Sequence, residues 1–256
     1  MHQVIGSISA RSSEGLQFAP ADPDMRVATL AHLLSLLDQL PDFDGARSAD
    51  EAALFDADDV VSHGEAFILI VPLIEACLES VDLAPALAAQ LAFLSMFPSV
   101  PETIAMQVGF GRSIGEEQIR DIARLFSRAA RRGVTVDDYV AELDVAGELP
   151  RGKLVRLFHG ETRRIPDPDR MTRGVALLRS VLALVPDTAR PPLLCAIAWL
   201  QWARGKRAVA MAYVAEAQRI DATHILAYGL SWLITTKTPR WTMSSPSRDD
   251  GQTGNV

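Results

Sequence analysis

The stretch from Leu194 to Ala222 constrains the fold more than any other part of the chain, because of where its small residues fall. Two apolar-periodic segments meet at Arg204-Gly205, and small side chains recur where two helices would touch: Ala198 on the first, Ala210 and Ala217 on the second. Gly205 supplies the backbone freedom a tight turn requires. Leu194, Ile197, Val214 and Ile220 supply the apolar faces. The stretch therefore reads as one helical hairpin.

That small-residue code resembles a tetratricopeptide unit, with Gln201 at its usual Tyr position and Ala222 where a Pro closes the repeat. A shift of 36 residues superposes Gly174 on Ala210, Leu178 on Val214, Val181 on Ala217, Leu184 on Ile220 and Pro186 on Ala222. The upstream echo predicts a partial second unit, and the linker from Asp187 to Pro192 absorbs the extra length. Thr223 to Thr236 is expected to add an apolar helix that closes the stack.

The rest of the chain reads as helices separated by caps and breakers. Val27, Leu30, Leu33, Leu34 and Leu37 predict a helix that Pro41 stops. Ser48 with Glu51 is a capping box, and Asp56, Asp58 and Asp59 place acids at the start of a helix running to about Ser80, bent at Gly64 and Pro72. Helices are also expected over 84–97, after a Ser99/Glu102 capping box, over 115–132, after a Thr135/Asp138 cap, over 149–158, and from Pro168 behind an Asp167 cap. No strand of alternating period is found. The expectation is an all-α, multi-helix array ending in tetratricopeptide-like helical hairpins. Its parts are a flexible segment at 1–23, a helical region at 24–160, a repeat-like region at 161–238 and a disordered tail at 239–256.

Composition supports a packed, non-membrane protein. The 256 residues are 48% hydrophobic and 22% charged, enough for a proper core. The longest apolar run, Ala66 to Ile74, contains Pro72 and falls short of the roughly 20 residues a bilayer requires. Residues 1–10 lack the charged leader and apolar run of a secretory signal, so the cytoplasm is the expected location. Cys77 and Cys195, each within an apolar helical pattern, are expected as buried reduced thiols.

Charge is unevenly distributed. Residues 1–111 hold three Arg against sixteen acidic residues, a net −13, while residues 112–256 hold twenty-two Lys and Arg against sixteen acids, a net +6. Mutual attraction of the halves is favoured over an anionic partner, since the overall charge of −7 opposes nucleic-acid binding.

The familiar catalytic and metal-binding motifs are incomplete. His63-Gly64-Glu65 and His159-Gly160-Glu161 have the His-x-Glu half of a zinc-deaminase signature without its Pro-Cys-x-x-Cys half. Asp42-Phe-Asp44-Gly45 starts like a calcium loop, but the glycine is displaced and Ala53 stands where the bidentate Glu belongs. Gly109, Gly111 and Gly115 miss the spacing of a dinucleotide loop. No metal or cofactor is expected, and the chain reads as non-catalytic. Arg120, Arg124, Arg128 and Arg131 form a basic stripe on one helix, a candidate surface for an anion or a partner. Trp199, Trp202, Trp232 and Trp241 crowd the last sixty residues, with core packing favoured over an aromatic ligand groove.

The C-terminal half also resembles the actinobacterial domain of unknown function 4192 family. The resemblance rests on the stretch Arg163 to Met171, the Leu-Leu-Arg helix, Ala189 to Trp199, the Arg204-Gly205 turn and Pro239-Arg-Trp241. It is specific over about residues 165–241 and thin over 85–164. Members of that family begin with an α/β region; this chain shows none, so the resemblance implies a divergent remnant in the first eighty residues or a truncated member. The family has no established activity and lends no site residue. The function expected is a scaffold or protein-interaction module whose partner is another protein. The alternative is a regulator binding a small anionic ligand or nucleotide in a groove lined by Arg and Trp.

Overall fold

The computed structural model describes residues 18, 21–38, 69–148 and 152–242, and every regular element among them is a helix. In chain order these are α1 (Pro23–Leu37), α2 (69–79), α3 (Pro85–Ser95), α4 (Val100–Phe110), α5 (Arg112–Arg132), α6 (Val136–Val145), α7 (Lys153–Phe158), α8 (Pro168–Leu184), α9 (Pro191–Ala203), α10 (Arg207–Ile220) and α11 (Ile225–Thr236). A 3-10 turn, Asp187–Ala189, joins α8 to α9. The all-α multi-helix array is the observed fold class.

Local signals set most of the helix ends. Asp167 accepts the amide hydrogens of Asp169 and Arg170, satisfying donors that the first turn of α8 leaves open, while Pro168 lacks one to satisfy. Thr135 does the same for Asp138 at the start of α6. Gly133 takes φ 67° and ends α5 in the left-handed conformation common at helix C-termini. The Ser99/Glu102 capping box does not form. Ser99 sits at φ 67°, away from the extended geometry an N-cap side chain needs, and its carbonyl instead accepts from the amide and hydroxyl of Thr103. The Ser48/Glu51 box, the Asp56 to Asp59 helix start and Gly64 lie outside the described residues.

The hairpin of α9 and α10 is the centre of the molecule. All thirteen residues of α9 are buried. The pair turns at Gly205, whose φ is 76°. α8 and α11 also contact α9, and α4 and α3 pack against it from the first half of the chain. α4 is almost as deeply placed, with only Glu102 of its eleven residues partly open. Residues from both sides of position 160 thus share one hydrophobic cluster. Fully burying each large side chain of this cluster contributes about 1.5–3 kcal/mol, and Trp199, Trp202 and Tyr213 are its largest members.

The chain returns to this core at both ends of the described region. Phe18 lies under the guanidinium groups of Arg179 and Arg190, at 5.7 and 5.8 Å. Pro239 to Thr242 is anchored as well: the Arg240 amide donates to the Gly160 carbonyl at 2.8 Å, and Trp241 is buried. Gly160, at φ 68°, allows this approach, because a Cβ there would come within 2.8 Å of the Trp202 ring and 2.9 Å of Pro239 Cα.

Candidate interaction surface

The hairpin's small residues serve packing. Ala198, Ala210 and Ala217 are fully buried. The protein's own α4 packs on α9 of this hairpin, where a Cβ on Gly109 would stand 3.3 Å from the Trp199 ring. Trp199 stacks on Phe158 at 5.5 Å and donates its indole hydrogen to the Phe158 carbonyl. Trp202 donates to the Lys237 carbonyl and Trp241 to that of Ala203. Burial and used donors make these three rings core.

Trp232 departs from the core packing expected of it. α11 turns Ala227, Leu230, Leu233 and Ile234 inward, and the helical period then turns Ile225, Tyr228 and Trp232 outward at 86, 59 and 58% exposure. Gly229 lies among them on the exposed side, with open space where its Cβ would be. A glycine inside a helix costs about 1 kcal/mol relative to alanine. Among the described residues, no close contact accounts for it here. The twelve residues of α11 include no charged side chain. The outward row escapes notice in sequence because a helix apolar all round reads as buried.

The arginine stripe is exposed on α5. Arg124 pairs with Asp121 at 2.9 Å, whereas Arg120, Arg128 and Arg131 make no ion pair among the described residues. A shallow open depression of about 420 Å³ is lined by Ala123, Arg124, Ser127, Arg128 and Arg131, all from this one helix. No tryptophan lies in it. Trp199, Trp202 and Trp241 are buried in the core and Trp232 is on α11, so this depression is lined by arginine and small residues alone.

Attraction between the acidic and basic halves is represented by one ion pair among the described residues. Arg170 on α8 meets Glu75 on α2. Gln107 donates to the Val71 carbonyl at 2.8 Å and to Glu75 at 2.7 Å, completing the cluster. Burial pulls the Glu75 carboxyl upward, but hydrogen bonds from Arg170 and Gln107 with the Arg170 charge hold it below its ordinary value. This pair has no sequence signal, since its members are 95 positions apart.

Burial shifts several other titrating groups among the described residues. Burial pushes the Cys77 thiol up to about 11 and raises Cys195 further, so neither is a ready thiolate. His224 Nδ1 lies 3.8 Å from Cys195 Sγ, and burial lowers its pKa. Glu102, its carboxyl enclosed and its Oε2 without a hydrogen bond, is shifted upward by burial. His159 is lowered by burial and by Lys237, while Glu161 pairs with Lys237. His63 and Glu65 lie outside the described residues. Among the described residues, no three His, Cys, Asp or Glu side chains are placed to hold one metal ion, and no helix is long and apolar enough to cross a membrane.

Compared with known proteins, the chain matches no family model, no curated protein and no solved structure.

Proposed function

We propose that the protein is a non-catalytic helical interaction module, and that it binds protein through the outer face of α11. The observation that carries this reading is the uncharged, exposed row of Ile225, Tyr228 and Trp232 around a bare Gly229. Exposed Trp and Tyr on a rigid helix are the residue types that dominate binding energy at protein interfaces. A helix at the end of a repeat stack ordinarily needs a polar outer face, and α11 has none of its charges. The reading includes tetratricopeptide-type geometry for α9 and α10, supported by the buried alanines and the left-handed Gly205. It also keeps residues 165–241 with the domain of unknown function 4192 family, on the sequence stretches quoted above. The cytoplasm is the compartment it assumes, supported by two unpaired buried thiols.

The test places a photo-reactive amino acid at position 228 in cells, with position 145 as control, since Val145 is 92% exposed on α6. A protein adduct at 228 and none at 145 is the expected result. Irradiation that yields no adduct at 228 contradicts the reading.

A further inference from the structure

We infer that the partner of the α11 face is a second copy of this chain, joined by a two-fold contact between the two α11 helices. The inference rests on the reading of α11 as an interaction face.

The first support is electrostatic. In a two-fold contact the same patch lies on both sides, residue i meeting residue j and j meeting i, so a patch whose charges are all of one sign faces its own sign. Copies carrying a net charge of −7 repel one another overall, and an uncharged contact surface adds nothing to that repulsion. The outward face of α11 is such a surface: Ile225, Tyr228, Gly229, Trp232, Thr235 and Thr236 are all exposed and none is charged.

Shape supplies the second support. Trp232 is the largest projection on the face and Gly229 its deepest gap, three residues apart, about 4.5 Å along the axis at 1.5 Å per residue. When two such helices lie antiparallel about an axis between these positions, the Trp232 ring of each copy covers the Gly229 of the other. One pairing thereby fills both gaps and covers both indoles. It also gives Gly229 a purpose that no contact among the described residues supplies, because a small residue lets helix backbones approach closely. The C-terminal segment 243–256 fits this face less well, since its only large apolar residues are Met243 and Val256.

Sedimentation velocity of the full chain, from dilute solution to about 200 µM, tests the inference in the range where micromolar contacts are populated. The wild type is expected to pass from monomer to dimer, and Trp232→Glu and Gly229→Ala each to weaken dimerisation at least about tenfold, with unchanged helical circular dichroism. Gly229→Ala should meanwhile raise the melting midpoint of the dilute monomer by about 2–4 °C, because alanine favours the helix. That opposite pair of effects separates lost contact from lost folding. A wild type that stays monomeric throughout overturns self-association and leaves the α11 face to a different protein, which the mass of the position-228 adduct identifies. A dimer indifferent to both substitutions overturns the α11 contact.

Discussion

Arg170 closes a two-pronged ion pair on Glu75, with Nη1 3.0 Å from Oε2 and Nη2 2.8 Å from Oε1, tying α8 to α2 across 95 positions of sequence. Side-chain exposures of 19 and 14% place both charges largely out of water. Arg170→Met strands the Glu75 carboxylate and is expected to cost about 3–5 kcal/mol in urea unfolding. Adding Glu75→Leu should recover most of that loss, since an apolar pair of similar volume is often near neutral. A double variant as unstable as the single one would mean that the cluster does more than neutralise its own charges.

Glu102 is expected to oppose folding at neutral pH. Burial raises its folded pKa above the ordinary 4.5, so its favourable contribution is complete below that value and is lost as pH rises through the folded pKa. Glu102→Gln should stabilise the protein at pH 7, because the amide keeps the shape of the side chain without a charge to desolvate. Toward pH 4 the gain should shrink. Glu75 runs the other way: its folded pKa is lowered, so its contribution is present above 4.5 and disappears as pH falls through the folded value. Thermal melts across pH 4–7 on the wild type and Glu102→Gln read the difference.

Gly160→Ala is expected to destabilise the protein by about 2 kcal/mol or more, through a left-handed backbone and contacts with Trp202 and Pro239 that cannot all yield. The near-ultraviolet circular dichroism of the aromatic cluster should weaken with it. If the variant melts like wild type with its aromatic signal intact, the Pro239 to Thr242 segment is not packed on this turn.

Cys77 and Cys195 should resist thiol reagents at pH 8 until the protein unfolds. Both are buried, and burial raises both thiol pKa values, Cys77 to about 11. Native protein treated with a disulfide reagent should give no rapid release, and urea-unfolded protein should give two equivalents. Fast labelling of either residue in the native state would contradict its placement.

Much of the fold was legible because its signals are local. Asp167 with Pro168, Thr135 with Asp138, and Gly133 mark helix ends by satisfying or freeing nearby backbone groups, and the Ala198, Gly205, Ala210, Ala217 code marks the hairpin. Ser99 misled because a capping pattern presumes an extended N-cap, while the turn after Pro98 imposes φ 67°. The arginine stripe was legible as a helical face and core packing was favoured for the tryptophans, but that α4 fills the inner side of α9 was not legible. The outward row of α11 was hidden for a related reason: its apolar residues surround the helix, and only the packing direction of Leu230 and Ile234 decides which of them face solvent.

Iodide quenching of tryptophan fluorescence in dilute protein, wild type beside Trp232→Phe, tests most directly that the face of α9 is filled from within and that α11 carries the exposed indole on which the proposed contact depends. Trp199, Trp202 and Trp241 are at most 5% exposed, against 58% for Trp232. The account predicts one quenchable component in the wild type and almost none in Trp232→Phe. Strong quenching that persists without Trp232 would place the buried indoles in an open groove and contradict the account.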